Sequence, residues 1–336
     1  MIVGSTRTRG HSLRAPTRAF AWLLLASLGC SRPAGKEMTN ESRRQAPSSS
    51  APKQAPQPRP EPLRLYGLDI SAYTATLAAD DDGQTLYVLT SHAAHRLREG
   101  EPGQHWALEL GDTPALSTRG IVYWLDGALR RGPKQGGSAE VLARVQRPPR
   151  RLCAARESIA WVEADEAGTV LHTLDGSEPR SLYRSPGQIE ALALVDDRAY
   201  FVERNQEHWR LGTIALGGGA TRFSEQHAGR TPALLAATGD VFYYDGPSST
   251  VRRVSSGLER EDVVGSDVIC SPLAVADRVY CSQISLLFEL PRDGGEARVL
   301  APKRAGTITA LVATKTRLAW LLDVGENRTE VEVLPL

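Results

Sequence analysis

The chain has 336 residues, of which 41% are hydrophobic and 24% are charged, so it can bury a sizeable core and is not disordered as a whole. Its formal net charge is +1, but residues 62–336 alone carry a net charge of −6, because the excess of basic residues lies upstream. A folded part of that sign has no basic footprint, which argues against nucleic acid as its main partner.

The first 30 residues have the organisation of an export signal. Four arginines precede the apolar run from Ala19 to Ala26, and small residues follow it up to Cys30. A charged start, an apolar stretch of about ten residues and a small-residue end are typical of a cleaved secretory signal. The apolar run is shorter than the roughly 20 residues that a permanent membrane helix needs. We therefore expect residues 1–30 to direct export and to be cleaved.

The end of this signal contains Ser27, Leu28, Gly29 and Cys30, and it resembles a bacterial lipobox. Gly29 and Cys30 match the lipobox pattern, while Ser27 and Leu28 stand in exchanged order. The resemblance implies that Cys30 carries a lipid, that the protein is membrane-anchored and that it lies in the cell envelope. Ordinary signal cleavage after Gly29 is one alternative, and a buried helix over residues 19–28 without export is the other.

Residues 31–61 have the composition of a solvated tether. The segment is rich in Pro, Ser, Gln and Ala and is nearly free of large apolar side chains. It cannot bury enough apolar surface to offset the entropy lost on ordering. We expect it to be disordered and to hold a domain of residues 62–336 away from a membrane surface.

From residue 62 onward, one motif recurs seven times. A short β-rich run centred on an aromatic residue is repeated at intervals of 36 to 43 residues. The aromatic anchors are Tyr87, Tyr123, Trp161, Tyr200, Tyr243, Tyr280 and Trp320. Alternating apolar runs broken by Asp, Gly or Arg surround each anchor, and this pattern indicates hairpins. Four strands in about 39 residues make one propeller blade, so the sequence predicts an all-β fold: a single β-propeller of about seven four-stranded blades.

The two ends of this region complement each other. The seventh repeat supplies three strands and stops at Leu336, while the stretch from Leu63 to Leu68 has no blade of its own. Pairing this stretch with the last blade closes the ring and covers sheet edges that otherwise promote aggregation. We expect that closure.

Three repeats contain the strings VYWLD, FYYD and AWLLD, and two repeats contain a Gly-Gly turn, at residues 136–137 and 294–295. These features resemble the degenerate YWTD-type and TolB-type propeller repeats of exported proteins. The resemblance implies a non-catalytic recognition or scaffold module, and we expect a monomer that binds a protein, a peptide or a glycan. Nothing in the motif specifies the ligand.

No catalytic, metal-binding or phosphate-binding motif is recognisable in the sequence. A Gly-x-Ser-x-Gly elbow and a Cys–His signature are missing, and the glycines at 217–219 lack a following Lys-Ser or Lys-Thr. His92 and His95 are close in sequence but fit no metal spacing, so we expect surface residues and no metal or cofactor. The alternative function is a hydrolase or lyase acting on an extracellular polymer at the channel mouth, since distant residues can assemble a catalytic triad.

Acidic residues that end the second strands of several repeats form one candidate site. They recur at the same blade position and would therefore ring one face of the propeller. They are Asp126, Glu163, Glu203, Asp245 and Asp323. A ring of carboxylates could bind a cation or a basic ligand. The alternative is that each carboxylate accepts backbone N–H bonds in its own turn.

Arginines in the links between blades form the second candidate site. Arg150, Arg230 and Arg304 come from three different links, which should converge near the central axis. Together they could hold a carboxylate, a sugar acid or an anionic peptide. The alternative is a solvated surface neutralised by nearby acids. Those acids are Asp112, Glu190 and Asp267.

Three cysteines remain after the signal, an odd number for an oxidising compartment. Cys270 and Cys281 flank the first hairpin of the sixth repeat and are the only pair close in sequence. A disulfide between them requires the chain to bend around Pro272, so the sequence leaves this bridge open. We expect Cys153 to be a buried small side chain and not a nucleophile.

Overall fold

The computed structural model describes residues 62–71, 75–110, 114–232, 234–236, 239–301 and 305–336, with residues 64–66 and 234–236 described for their backbone alone. The predicted signal and tether, and with them Cys30, lie outside the described residues, as do Arg304 and Asp112. Every regular element within the described ranges is a β-strand. These ranges contain no helix that is long and apolar enough to cross a membrane.

The strands pair in seven antiparallel sheets, and each sheet is one blade. Strand β1 spans Leu63–Leu68. Blades 1 and 2 consist of β2 (Thr76–Ala79), β3 (Thr85–Leu89), β4 (Ala93–Arg98) and β5 (Gln104–Ala107), then β6 (Ala115–Ser117), β7 (Gly120–Leu125), β8 (Ala128–Gly132) and β9 (Glu140–Arg144). Blades 3 and 4 consist of β10 (Arg151–Ala155), β11 (Ser158–Asp165), β12 (Gly168–Asp175) and β13 (Glu178–Ser185), then β14 (Gln188–Val195), β15 (Arg198–Asn205), β16 (His208–Ala215), β17 (Arg222–Phe223) and β18 (His227–Ala228).

Blades 5 to 7 repeat this order. They consist of β19 (Leu234–Ala236), β20 (Asp240–Asp245), β21 (Thr250–Ser255) and β22 (Glu261–Gly265), then β23 (Leu273–Val275), β24 (Arg278–Gln283), β25 (Leu286–Pro291) and β26 (Arg298–Ala301), and finally β27 (Thr307–Ala313), β28 (Arg317–Gly325) and β29 (Arg328–Pro335). In blade 4 the short strands β17 and β18 both pair with β16 and share its outer edge. The predicted seven-bladed propeller is confirmed.

The aromatic anchors explain why the repeat encodes this fold. Each anchor lies in the second strand of its blade and is at most 3% exposed. Each packs in an apolar cluster at the contact between neighbouring blades: Tyr87 and Tyr123 share one between blades 1 and 2, and Tyr280 and Trp320 share one between blades 6 and 7. A buried aromatic side chain removes about 150–250 Å² from water, so the anchors are a main source of blade-to-blade adhesion.

The ring closes as the sequence predicts. Strand β1 pairs with β29, and the order of blade 7 is β1, β29, β28, β27. The hydroxyl of Thr329 in β29 also donates a 2.7 Å hydrogen bond to the carbonyl of Ile70, just past β1. Blade 7 therefore takes its outermost strand from one end of the domain and its other three strands from the other end.

Because successive strands alternate in direction, the loops fall on two opposite faces. The face that we call the connection face carries the links between blades and the turns between second and third strands. Its described segments include residues 145–150, 186–187, 229–232 and 266–272, and turns 126–127, 206–207, 246–249, 284–285 and 326–327. The hairpin face carries the turns after first and third strands, such as 156–157, 196–197, 276–277 and 314–316. The two candidate sites of the sequence analysis therefore share the connection face.

Candidate functional site

Three arginines from consecutive parts of the ring line an open cleft on the connection face, with a volume of about 630 Å³. Arg151 begins the first strand of blade 3, Arg204 lies near the end of the second strand of blade 4, and Arg230 lies in the link to blade 5. Glu190, in the first strand of blade 4, is the one carboxylate among the residues that line the cleft. The site thus has a local excess of positive charge.

Hydrogen bonds fix two of these arginines. Arg151 Nε donates to the backbone carbonyl of Glu190 at 2.7 Å, and Arg204 Nη1 lies 3.4 Å from the Glu190 carboxylate. Arg230 is exposed and makes no hydrogen bond or ion pair with any residue that the structure describes. Within the described part of the chain, the Glu190 carboxylate therefore pairs with Arg204 alone, and Arg230 is available for a bidentate contact with an anion.

The predicted arginine set is brought together in part. Arg230 lines the cleft, whereas the guanidinium of Arg150 donates to the side-chain oxygen of Gln188 and does not line it. Arg151 takes the position that the sequence analysis gave to Arg150. Successive residues of a strand point to opposite sides, so a shift of one residue decides which arginine faces the cleft. The third member of the predicted set, Arg304, lies outside the described residues.

Three members of the predicted acidic ring have local roles in turns. Asp126 is exposed and has a left-handed backbone, with φ of 49°, in a two-residue turn that favours Asp followed by Gly. Asp323 accepts a 3.0 Å hydrogen bond from the N–H of Gly325. Asp245 accepts a hydrogen bond from the hydroxyl of Ser248. Of the three, Asp323 accepts a backbone N–H bond as the turn interpretation describes, and Asp245 accepts a hydrogen bond from a hydroxyl of its own turn.

Glu203 has a different environment, because it is only 4% exposed. Its carboxylate accepts hydrogen bonds from Tyr183 Oη at 2.7 Å, from the hydroxyl of Ser185 and from Arg210 Nε at 2.7 Å. Burial acts to raise the pKa of Glu203, but these hydrogen bonds and the Arg210 charge outweigh it and hold the pKa below its ordinary value. Tyr183 and Ser185 belong to blade 3, so this ionised carboxylate ties blade 3 to blade 4.

The cysteines fall into two environments. Cys270 and Cys281 are joined by a disulfide with a Cα–Cα distance of 4.8 Å, and the peptide bond before Pro272 is cis. The bridge ties the link before blade 6 to the second strand of that blade. Cys153 is a free thiol in the first strand of blade 3, and burial raises its pKa to about 11. A thiol with that pKa is protonated at neutral pH, so it is not an activated nucleophile.

Of the two histidines that we expect at the surface, His92 is exposed. His95 lies opposite His105 on the neighbouring strand, with ring centroids 6.0 Å apart, and it is partly buried. Burial, together with the neighbouring imidazole, lowers the pKa of His95. Among the residues that the structure describes, no three His, Cys, Asp or Glu side chains lie close enough to hold a metal ion.

A second opening, of about 580 Å³, lies on the hairpin face and was not predicted. Turns of blades 3, 4, 6 and 7 line it, and its charged residues are Arg156, Asp196, Asp277, Arg292 and Lys315. Arg156 and Asp196 lie 3.8 Å apart, so part of the charge is neutralised within the opening. Compared with the cleft on the connection face, this opening has a smaller excess of positive charge.

Comparison with known proteins identifies the fold and no family. No family model matches the sequence, and no curated protein matches it. The β-propeller domain of Cps50 (Swd1) from Myceliophteria thermophila has 11% identity and a TM-score of 0.59, covering 81% of this chain and 99% of that one. The Pan2 WD40 domain of Neurospora crassa has 10% identity and a TM-score of 0.60, covering 82% of this chain and 96% of that one.

A third similar structure is hydrazine synthase from Kuenenia stuttgartiensis. It has 10% identity and a TM-score of 0.57, and the match covers 79% of this chain and 96% of that one. Identities this low show the propeller architecture alone. An architecture found both in WD40 domains and in an enzyme does not determine function, which depends on the residues of the site.

Proposed function

We propose that this protein is a recognition module, tethered in the cell envelope, that binds an acidic segment of a partner through the arginine cleft of the connection face. The carrying observation is that Arg151, Arg204 and Arg230 line one cleft in which Glu190 is the one carboxylate among the described residues. These arginines lie in a domain of net charge −6, so an anionic ligand would relieve their mutual repulsion. The residues lining the cleft include one acid and no histidine, which supports binding over hydrolysis as its role.

Arg230→Glu should weaken the binding of a fluorescently labelled oligoglutamate peptide by about tenfold or more at low salt, because it places a negative charge in the cleft. Arg230 is exposed and has no partner among the described residues, so the melting temperature should stay within about 2 °C of the wild type. Fluorescence anisotropy and thermal unfolding measure the two effects.

The matched control is Lys315→Glu, which makes the same change of charge at an exposed position on the hairpin face. It should leave oligoglutamate affinity nearly unchanged. Equal loss in both variants would mean that the peptide responds to net charge alone, and an unchanged affinity in Arg230→Glu would move the site away from the cleft.

The envelope location rests on the lipobox-like end of the signal. Cys30→Ser removes the only thiol to which a lipid could be attached at that position, so the mature protein should leave the membrane fraction of fractionated cells. A folded domain of residues 62–336 should be recovered in the soluble fraction, with its melting temperature unchanged. The same membrane-bound fraction in the wild type and in Cys30→Ser would contradict lipid anchoring.

A further inference from the structure

Ile284 combines two features that each oppose folding. Its backbone φ is +60°, in the left-handed region, and its side chain is 58% exposed. The left-handed region is unfavourable for residues with a Cβ and is a clear outlier for β-branched side chains. Exposure of a large aliphatic side chain also forgoes the stabilisation that burial would give. Ile284 therefore makes its turn less stable than a residue that tolerates a left-handed backbone and solvent exposure would.

The equivalent turns of other blades solve the same geometric problem with polar residues. Their left-handed positions hold Asp126, Gln206, Ser249 and Glu326. Leu258 is the one other apolar residue with positive φ among the described residues, but it lies on the hairpin face and packs against the cluster that contains Trp209. The packing of Leu258 offsets its backbone cost. Among the described residues, no apolar cluster includes Ile284 to offset its cost.

The turn that carries Ile284 is held rigidly on the connection face. The Ile284 carbonyl accepts a 2.7 Å hydrogen bond from the N–H of Ile308 at the start of blade 7. A second exposed isoleucine, Ile269, is 49% exposed and directly precedes Cys270, which is bridged to Cys281 near the same turn. The disulfide thus holds the segment of Ile269 against the strand that leads to Ile284. Rigid presentation of this kind lowers the entropy lost on binding.

We infer that Ile284 and Ile269 form the apolar anchor of a docking surface for a partner protein. This inference rests on the proposed function of the connection face and names the class of partner. The partner's surface should combine an apolar depression for the two isoleucines with acidic side chains for the arginine cleft. Protein interfaces have this composition, with an apolar centre and charged residues at the rim.

The chemistry of the anchor favours a protein over a glycan. Aliphatic side chains offer no hydrogen bonds to sugar hydroxyls and no aromatic face on which a sugar ring could stack. Backbone conformations that cost stability are concentrated at functional sites, where binding compensates for the cost. Replacing such a residue commonly raises stability and lowers function.

The test uses Ile284→Asn, since Asn adopts the left-handed conformation more readily than Ile. A displayed library of random peptides is selected on the full-chain wild-type protein, and each enriched peptide is then measured against both proteins by fluorescence anisotropy. The enriched peptides should contain both acidic and apolar residues. Ile284→Asn should weaken their binding by about tenfold or more while its melting temperature rises or stays unchanged. Loss of binding without loss of stability separates an anchor from a structural residue.

The matched control is Leu258→Asn on the hairpin face, which should lower the melting temperature and leave peptide affinity unchanged. Equal affinity of the enriched peptides for wild type and Ile284→Asn would overturn the inference. A library that yields no binder would also overturn it. Enriched peptides that are acidic but lack apolar residues would overturn the apolar anchor and leave the proposed function of the arginine cleft intact. The proposed function of the cleft is tested separately: it would be contradicted if Arg230→Glu left oligoglutamate affinity unchanged.

Discussion

Deleting residues 1–67 should unfold or aggregate the propeller, whereas deleting residues 1–61 should leave its melting temperature nearly unchanged. The longer deletion removes nearly all of β1, the outermost strand of blade 7. It exposes the backbone N–H and C=O groups along the outer edge of β29 to solvent. Strand β29 also carries Val331 and Val333, two of the buried side chains through which blade 7 packs on blade 1. The whole domain has only about 5–15 kcal/mol of stability, so loss of ring closure should be decisive.

Size-exclusion chromatography and thermal unfolding by circular dichroism measure this effect on both truncated proteins. The longer deletion should elute as aggregate or lose its cooperative transition, because an unpaired strand edge pairs with other chains. Two truncations with the same melting temperature and the same elution volume would contradict the role of β1 in holding the ring closed.

Glu203→Gln should lower the free energy of unfolding by about 3 kcal/mol or more at neutral pH, because it leaves the half-buried guanidinium of Arg210 without its counter-ion. Chemical denaturation measures the change. The matched control is Glu163→Gln at the corresponding position of blade 3, where the carboxylate accepts the indole N–H of Trp161 at 2.7 Å. An amide oxygen can accept the same bond, so the control should lose much less stability. Equal losses would contradict a special role for Glu203.

The pH dependence of this contribution has a definite sign. The pKa of Glu203 is lower in the folded protein than its ordinary value of 4.5, so the unfolded chain binds the proton more readily. The contribution is present above pH 4.5 and is lost as the pH falls through the lower, folded-state pKa. The difference in stability between wild type and Glu203→Gln should therefore shrink on acidification. A difference that stays constant down to acid unfolding would assign the effect to packing and not to ionisation.

The architecture could be predicted from the sequence because one physical requirement recurs in every repeat. Each blade must cover the face of its neighbour, so an aromatic residue recurs near the middle of each second strand. Tyr87 packs toward the following blade and Trp320 toward the preceding one. The closing strand could be predicted for a related reason, since three strands at the end of the chain left one edge without a partner. Periodicity and edge pairing are properties that a linear sequence displays directly.

The site could be predicted only to the level of its face. The choice between Arg150 and Arg151 depends on strand register, which a one-residue shift reverses. The pairing of His95 with His105 and the opening at Arg156 and Asp196 arise from tertiary neighbours that no spacing rule identifies. The left-handed backbone of Ile284 could not be predicted either, because an isoleucine between two strands does not indicate a left-handed turn.

The closure of blade 7 also brings Leu63 and Leu336 to the same face of the propeller. Strand β1 begins at the hairpin-face end of β29, and the N–H of Leu336 bonds to the carbonyl of Thr316, in a hairpin-face turn. Leu63 and Leu336 therefore both lie on the face opposite the arginine cleft. A sensor chip coupled through the Leu336 end would therefore present the cleft to solution.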